Sequence, residues 1–247
     1  MLSQFLSVFI GLRMLSMQTV SHECVPLALP VEVSILLYHH VAPSDGTDLF
    51  TVSPDMFAAQ MQTLVDLGFE AITPRQLTDA LQCGVPLPEQ AVIITFDDGN
   101  VDNYDYAFPI MKNLELPGAM YVVANRTVSP GYLSVEHLQA MIEAGWEIGS
   151  HTMTHPDLVN IDPEDLRFEL YESRLKLEVA LDVKVDSLAY PFGSFSSEIA
   201  HKVASYGYSN AMGLGTLTSH WKGNLFYLSR QAVDGREGLD GFITLLD

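Results

Sequence analysis

Ala91-Val92-Ile93-Ile94-Thr95-Phe96-Asp97-Asp98-Gly99 is an apolar run that ends on two carboxylates and a glycine. It follows a Pro-rich turn over residues 84–90, and its length and bounds predict a strand buried on both faces. Such strands belong to parallel sheets whose faces are covered by helices. The acidic pair stands at the strand's C-terminal end, the end at which parallel α/β folds gather their chemistry.

The pattern repeats outward from this strand. Upstream, residues 33–38 predict a buried strand. A helix over 55–67 follows, with Ser53 as N-cap, Pro54 at its first position and Gly68 ending it. Residues 69–73 predict a short strand, and 74–83 a helix closed by Gly84. Downstream, helices are predicted over 104–114, 134–144, 162–181 and 196–206, the third being the longest. Strands are predicted over 118–123, 146–149, 187–190 and 208–212, with a last one over 226–228. No repeat, low-complexity tract or linker interrupts the series. About seven or eight strand–helix units in one chain favour a single α/β barrel over an open sheet. The expected organisation is an N-terminal extension over 1–30 and one domain over 31–247.

Composition narrows the function classes. The 247 residues carry a formal net charge of −19, with 48% hydrophobic residues. Nucleic acid needs clustered Lys and Arg and is excluded as a partner, as are anionic membrane surfaces. A neutral substrate, or one that becomes cationic as it reacts, suits this charge. Residues 5–12 are apolar but too short to span a bilayer, so no stable membrane insertion is expected. No positive charge precedes them and Arg13 follows, which leaves two readings: a poorly ordered extension, or a weak signal or anchor. The two cysteines, Cys24 and Cys83, lie in no CxxC motif and are expected to be free thiols.

The second chemical motif is Ser150-His151-Thr152-Met153-Thr154-His155, behind the strand-like Trp146-Glu147-Ile148-Gly149. His151 and His155 stand at i and i+4, so one helical turn or tight loop brings both rings to the same side. Two imidazoles and one carboxylate are a common ligand set for a catalytic zinc-type ion with an open position for water. The other carboxylate of the acidic pair is then free to act as a base. Tyr190-Pro191-Phe192-Gly193 follows a third strand.

These three segments resemble the first three motifs of the NodB-homology polysaccharide deacetylases, carbohydrate esterase family 4. Leu37-Tyr38-His39-His40-Val41 and Phe69-Glu70-Ala71-Ile72-Thr73 resemble the lead-in of the bacterial branch that includes poly-N-acetylglucosamine deacetylases, and Leu228-Ser229-Arg230 resembles its closing segment. The likeness covers roughly residues 33–235. It implies a distorted (β/α) barrel and metal-dependent removal of acetyl groups from an N-acetylated glycan, in an extracytoplasmic or envelope-associated setting. By position, Asp98, His151 and His155 would hold one divalent ion, zinc, and Asp97 would be the general base. A backbone N–H near Phe192 would help hold the oxyanion.

Two departures matter. Where many members carry an Arg that orients the base, this chain has Ala189, and Arg230 is the expected replacement. Where many carry a late His as general acid, the triplet here ends in Arg230. The resemblance then favours His39, with His40 and His220 weaker candidates. Phe192, Tyr190 and Trp221 are the expected substrate contacts, whereas Trp146 reads as core. Asn100, Asp102 and Tyr104 read equally as cleft lining or as capping and solvated residues, and His137 and His201 as solvated helix positions. Other readings remain open at this point: a same-fold hydrolase of another acylated sugar or small amide, or a carbohydrate-binding protein without turnover.

Overall fold

The computed structural model describes residues 24–246. The apolar extension at residues 5–12 lies outside them. Seven parallel strands form the frame: β1 (Ser34–Tyr38), β2 (Ala91–Phe96), β3 (Ala119–Val122), β4 (Glu147–Ser150), β5 (Ser187–Ala189), β6 (Asn210–Met212) and β7 (Gln231–Ala232). Their order in the sheet is β6-β5-β4-β3-β2-β1-β7. The sheet curls back on itself through residues 228–232. Leu228 forms a parallel bridge with Met212 of β6, and Gln231 and Ala232 pair with Leu36 and Leu37 of β1. The architecture is the distorted barrel that the family likeness implied, built from the strand–helix units that the repeating pattern predicted.

Alternation along each strand divides the core in two. On β2, Val92, Ile94 and Phe96 face the larger core outside the barrel, with Leu36 and Tyr38. Ala91 and Ile93 face the barrel interior with Ile35, Tyr121 and Met212. The period of two carries Thr95 and Asp97 onto the interior side. The same parity on β1 runs Ile35, Leu37, His39, and on β4 Glu147, Gly149, His151. Gly149 has no side chain because the Tyr121 ring lies on it: a Cβ there would meet Tyr121 Cε1 at 2.4 Å.

The helices begin and end where the sequence provides caps. α1 (Pro54–Asp66) starts with the Ser53 hydroxyl accepting from Met56 N. α2 (Pro74–Cys83) starts on a reciprocal Thr73–Gln76 capping box and ends at Gly84 in the left-handed region, φ 68°. α4 (Val135–Glu143) and α6 (Ser197–Ser205) carry Ser134 and Ser196 as N-caps. Each such cap contributes about 1 kcal/mol.

Four expectations are corrected. The long helix predicted over 162–181 runs unbroken over 165–181 but is not regular: it contains a π-helical turn, Arg167–Glu172, ahead of α5 (Ser173–Leu181). The helix predicted over 104–114 likewise opens with a π-helical turn, Asn103–Ala107, before α3 (Phe108–Asn113). The last strand is Gln231–Ala232 rather than 226–228, of which only Leu228 bridges β6. Cys24 and Cys83 are joined in a disulfide across 59 residues. Two cysteines this far apart in sequence carry no spacing signal, and only the fold brings the N-terminal segment against the end of α2. Among the described residues no helix is long and apolar enough to cross a membrane.

Candidate active site

The C-terminal ends of the strands open into a cleft of about 510 Å³. Its floor holds Asp97, Asp98, His151 and Arg230. One wall carries His39, His40, Asp48 and Phe50, and the other His155, Phe192, Gly193 and Leu214. Both acidic and imidazole motifs therefore meet at one place, as strand parity directs.

Asp97 continues β2 inward and is 3% exposed. Arg230, 1% exposed, grips it with Nη1 on Oδ1 and Nη2 on Oδ2, both at 2.7 Å. The guanidinium also donates from Nε to the Gly213 carbonyl at 3.1 Å and from Nη1 to Thr95 Oγ1 at 3.3 Å. It lies over the Tyr121 ring at 5.4 Å. A buried charge pair is tolerable only when satisfied in this way. Burial pushes the Asp97 carboxyl up, but the charge of Arg230 outweighs it and holds the group at about 2. The ion pair expected from the Ala189 departure is thus present, built from the last barrel strand.

Asp98 leaves the strand with φ 71°, which turns its carboxylate away from that of Asp97. Among the described residues six non-glycine positions have positive φ, and four of them, Asp98, Thr152, His155 and Phe192, lie in the three motifs. Backbone strain of this kind costs about 1–3 kcal/mol per residue and persists where surrounding contacts over-determine it. Asp98, His151 and His155 each offer one ligand atom, all within 4.8 Å of one another. His151 Nδ1 is 2.8 Å from the Ala189 carbonyl, which leaves Nε2 for the cleft. His155 Nε2 stands 3.5 Å from Asp98 Oδ1, and its ring meets the His151 ring edge-on at 4.8 Å. Two imidazoles and a carboxylate so disposed fit a divalent ion of the zinc type. Asp97 Oδ2 is 3.7 Å from His151 Nε2, beside the ligand group.

His39 lines the cleft with its ring against Phe50 at 5.0 Å. Burial lowers its pKa, and the charges of Asp97 and Asp98 work against that shift. His40 is also in the cleft wall, its Nδ1 2.6 Å from Asp102 Oδ2, and this hydrogen bond raises its pKa. Asn103, fully buried, donates to the His39 carbonyl at 3.0 Å, and Asn100 Nδ2 lies 3.4 Å from the same oxygen. Asn100 and Asp102 therefore buttress the two histidines, while Tyr104 stacks on His137 at 4.3 Å.

The three expected substrate contacts separate. Phe192 is 64% exposed at the cleft edge, with its ring against His155 at 4.8 Å. Tyr190 borders the cleft, but its ring is buried in the larger core and its hydroxyl donates to the Phe226 carbonyl at 3.0 Å. Trp221 is corrected: it adjoins Ser219–His220, which pairs with Val31–Glu32 ahead of β1, so it stands at the barrel's base, away from the cleft. His220 is buried at that end, 3.1 Å from the Val33 carbonyl, and is removed from the acid candidates. Trp146 is core, as expected. Sequence reading missed Asp48, Phe50 and Leu214, which sit in loops without a motif. It also missed Arg126, which reaches Asp98 Oδ1 at 3.3 Å from the loop after β3.

Comparison with known proteins decides the family. Residues 84–211 match the family model described as polysaccharide deacetylase. The chain belongs to that family. The polysaccharide deacetylase fold also appears in the structural neighbours. Streptococcus pyogenes deacetylase PplD, solved in complex with acetate, is 25% identical with a TM-score of 0.81, over 88% of this chain and 99% of that one. IcaB from Ammonifex degensii is 25% identical with a TM-score of 0.75, over 87% and 95%. By sequence, YxkH of Bacillus subtilis is 29% identical over 179 residues, which is 72% of this chain and 63% of YxkH. The poly-beta-1,6-N-acetyl-D-glucosamine N-deacetylase of Escherichia coli K12 is 27% identical over 107 residues, 43% of this chain and 16% of that enzyme. The matched stretch thus spans less than two thirds of either relative.

Proposed function

We propose that the protein is a zinc-dependent deacetylase that removes N-acetyl groups from an N-acetylglucosamine-containing polysaccharide. The observation that carries this reading is the convergence of Asp98, His151 and His155 beside the Arg230-bound Asp97 on the floor of one cleft. A divalent ion held by those three residues supplies Lewis acidity toward the amide carbonyl and lowers the pKa of water. Asp97 takes the proton of the attacking water. Held low by Arg230, it is ionised throughout the neutral range, and its two fixed oxygens cannot rotate away. The Phe192 backbone N–H, in the left-handed turn beside the cleft, is the donor assigned to the developing oxyanion. His39, from the opposite wall, gives its proton to the departing nitrogen, so the amine leaves neutral and acetate is released.

The substrate class draws support from charge and likeness together. An acetamido sugar is neutral, its product is cationic, and both suit a chain of net charge −19. The exposed ring of Phe192 and the half-exposed ring of Phe50 provide faces for a sugar. PplD was solved with acetate, the product this reaction would release. The test is acetate release over a panel of β-1,6- and β-1,4-linked N-acetylglucosamine oligomers, peptidoglycan and acetylxylan. The reading predicts release from an N-acetylglucosamine polymer. Release from acetylxylan alone would replace the amide by an ester.

A further inference from the structure

The loop that carries both histidine ligands has little regular structure to hold it, although two of its residues, Thr152 at φ 66° and His155 at φ 70°, sit in the left-handed region. After His151 N, which donates to the Val122 carbonyl at 2.8 Å, every backbone N–H through His155 is taken by a side chain. Thr152 N donates to Ser150 Oγ at 3.2 Å and His155 N to Thr152 Oγ1 at 3.0 Å, both within the loop. The two between them leave the loop for one distant group. Met153 N and Thr154 N donate to Glu169 Oε2 at 3.0 and 2.9 Å, and the Thr154 hydroxyl donates to Oε1 at 2.6 Å.

Glu169 is 5% exposed and comes from the π-helical turn Arg167–Glu172, the irregularity that separates it from α5. Extra-residue turns of this kind are enriched at functional sites. Its backbone is tied to the same loop: Ser173 Oγ donates to the Glu169 carbonyl at 2.6 Å and lies 3.0 Å from Ser150 Oγ. Three donors converge on one side chain, and a carboxylate accepts from all of them at once. A glutamine would keep them only with its oxygen toward the two backbone donors and the Thr154 hydroxyl turned to accept from its NH2, whereas an alanine leaves both backbone N–H groups without their partner.

We infer that Glu169 is a positioning residue for the metal site: by holding Met153 and Thr154 it fixes the strained loop that sets His155 against His151 and Asp98. This rests on the metal reading of the site. Outer contacts that orient ligands typically tune metal affinity by about 10- to 100-fold. Glu169 belongs neither to the ligand group nor to the cleft lining, so its effect is on the affinity and geometry of the bound metal.

The test uses the full chain, stripped of metal and titrated with cobalt(II) against a chelator, with the visible absorption of the bound ion and the melting temperature recorded on the same samples. Glu169→Ala should weaken cobalt binding about 10- to 100-fold and change its spectrum. Thr154→Val, which deletes one of the three hydrogen bonds and keeps the carboxylate, should give a smaller loss in the same direction and keeps the test open if Glu169→Ala does not fold. A variant with a lower melting temperature but wild-type cobalt affinity and spectrum would mean that Glu169 is only structural, and overturns the inference while leaving the metal reading intact. Wild-type protein that bound no cobalt would overturn both.

Discussion

Asp97→Asn removes the proton acceptor while keeping the side chain's size and one oxygen for Arg230. The three ligands are untouched, so metal content by mass spectrometry should be unchanged and acetate release should fall by a factor of order 10² or more. Equal loss of metal would mean that the two aspartates have exchanged roles. The acid is separable in the same way. His39→Ala should keep the metal, lose most turnover and erase the alkaline limb of the pH–rate profile. That limb should lie to the acid side of an unperturbed histidine, because burial lowers the His39 pKa. His40→Ala should keep the limb, and its loss there would transfer the role to the His40–Asp102 pair. At this scale much was legible. Asp97, Asp98, His151 and His155 announce themselves by residue type and by position at strand ends. The Ala189 departure pointed to Arg230, 133 residues from Asp97, only through family likeness. Glu169, Asp48 and Phe50 were not legible, because nothing local distinguishes a buried clamp or a cleft-lining loop residue from a solvated one.

At the scale of elements, the strands were the easy part: a run buried on both faces stays almost wholly apolar, as in Ser34–Tyr38 and Ala91–Phe96. The π-helical turns were invisible, since no residue type marks them and each covers little more than one turn, too short for a phase shift to show. The last strand was displaced because Gln231 and Ala232 are set by pairing with β1 rather than by their own propensity. The first residue of β4 offers a test at this level. Glu147 Oε2 accepts from Arg75 N at 2.8 Å, while Oε1 is buried without a partner. Burial raises the carboxyl to about 7, against the opposing pull of the Arg75 N–H. A raised carboxyl means that the fold prefers the protonated form. Its contribution is whole below the unfolded value of 4.5 and is lost as pH rises through about 7. Glu147→Gln should therefore stabilise the protein at pH 8 by on the order of 3 kcal/mol in urea unfolding, with little gain near pH 4. An equal gain at both pH values would show that charge burial is not the cause.

For the whole molecule, the barrel separates two ends with different work. The cleft lies at the strands' C-terminal ends. The Cys24–Cys83 disulfide lies at the base, where the N-terminal segment meets the end of α2. Closing a loop of 59 residues contributes about 4 kcal/mol in the chain-entropy treatment. Replacing both cysteines by serine should lower the melting temperature and leave kcat unchanged at a temperature where both proteins are folded. A large loss of kcat would mean that the base and the cleft are coupled. Composition had indicated a neutral or cation-forming substrate and no nucleic acid, but no compositional quantity could have found the disulfide or the closure of the barrel through residues 228–232, both of which are products of the assembled fold.

The central claim is that Asp98, His151 and His155 hold a divalent ion on which deacetylation depends. The direct measurement is acetate release from a β-1,6-linked N-acetylglucosamine oligomer by metal-stripped protein titrated with zinc, run side by side for wild type and His151→Ala with bound zinc counted in each. The account predicts that stripped wild type is inactive, that activity returns in proportion to zinc and saturates at one ion per chain, and that His151→Ala neither binds zinc at that stoichiometry nor recovers. Full activity in the stripped enzyme, or a stoichiometric zinc retained by His151→Ala, would contradict it.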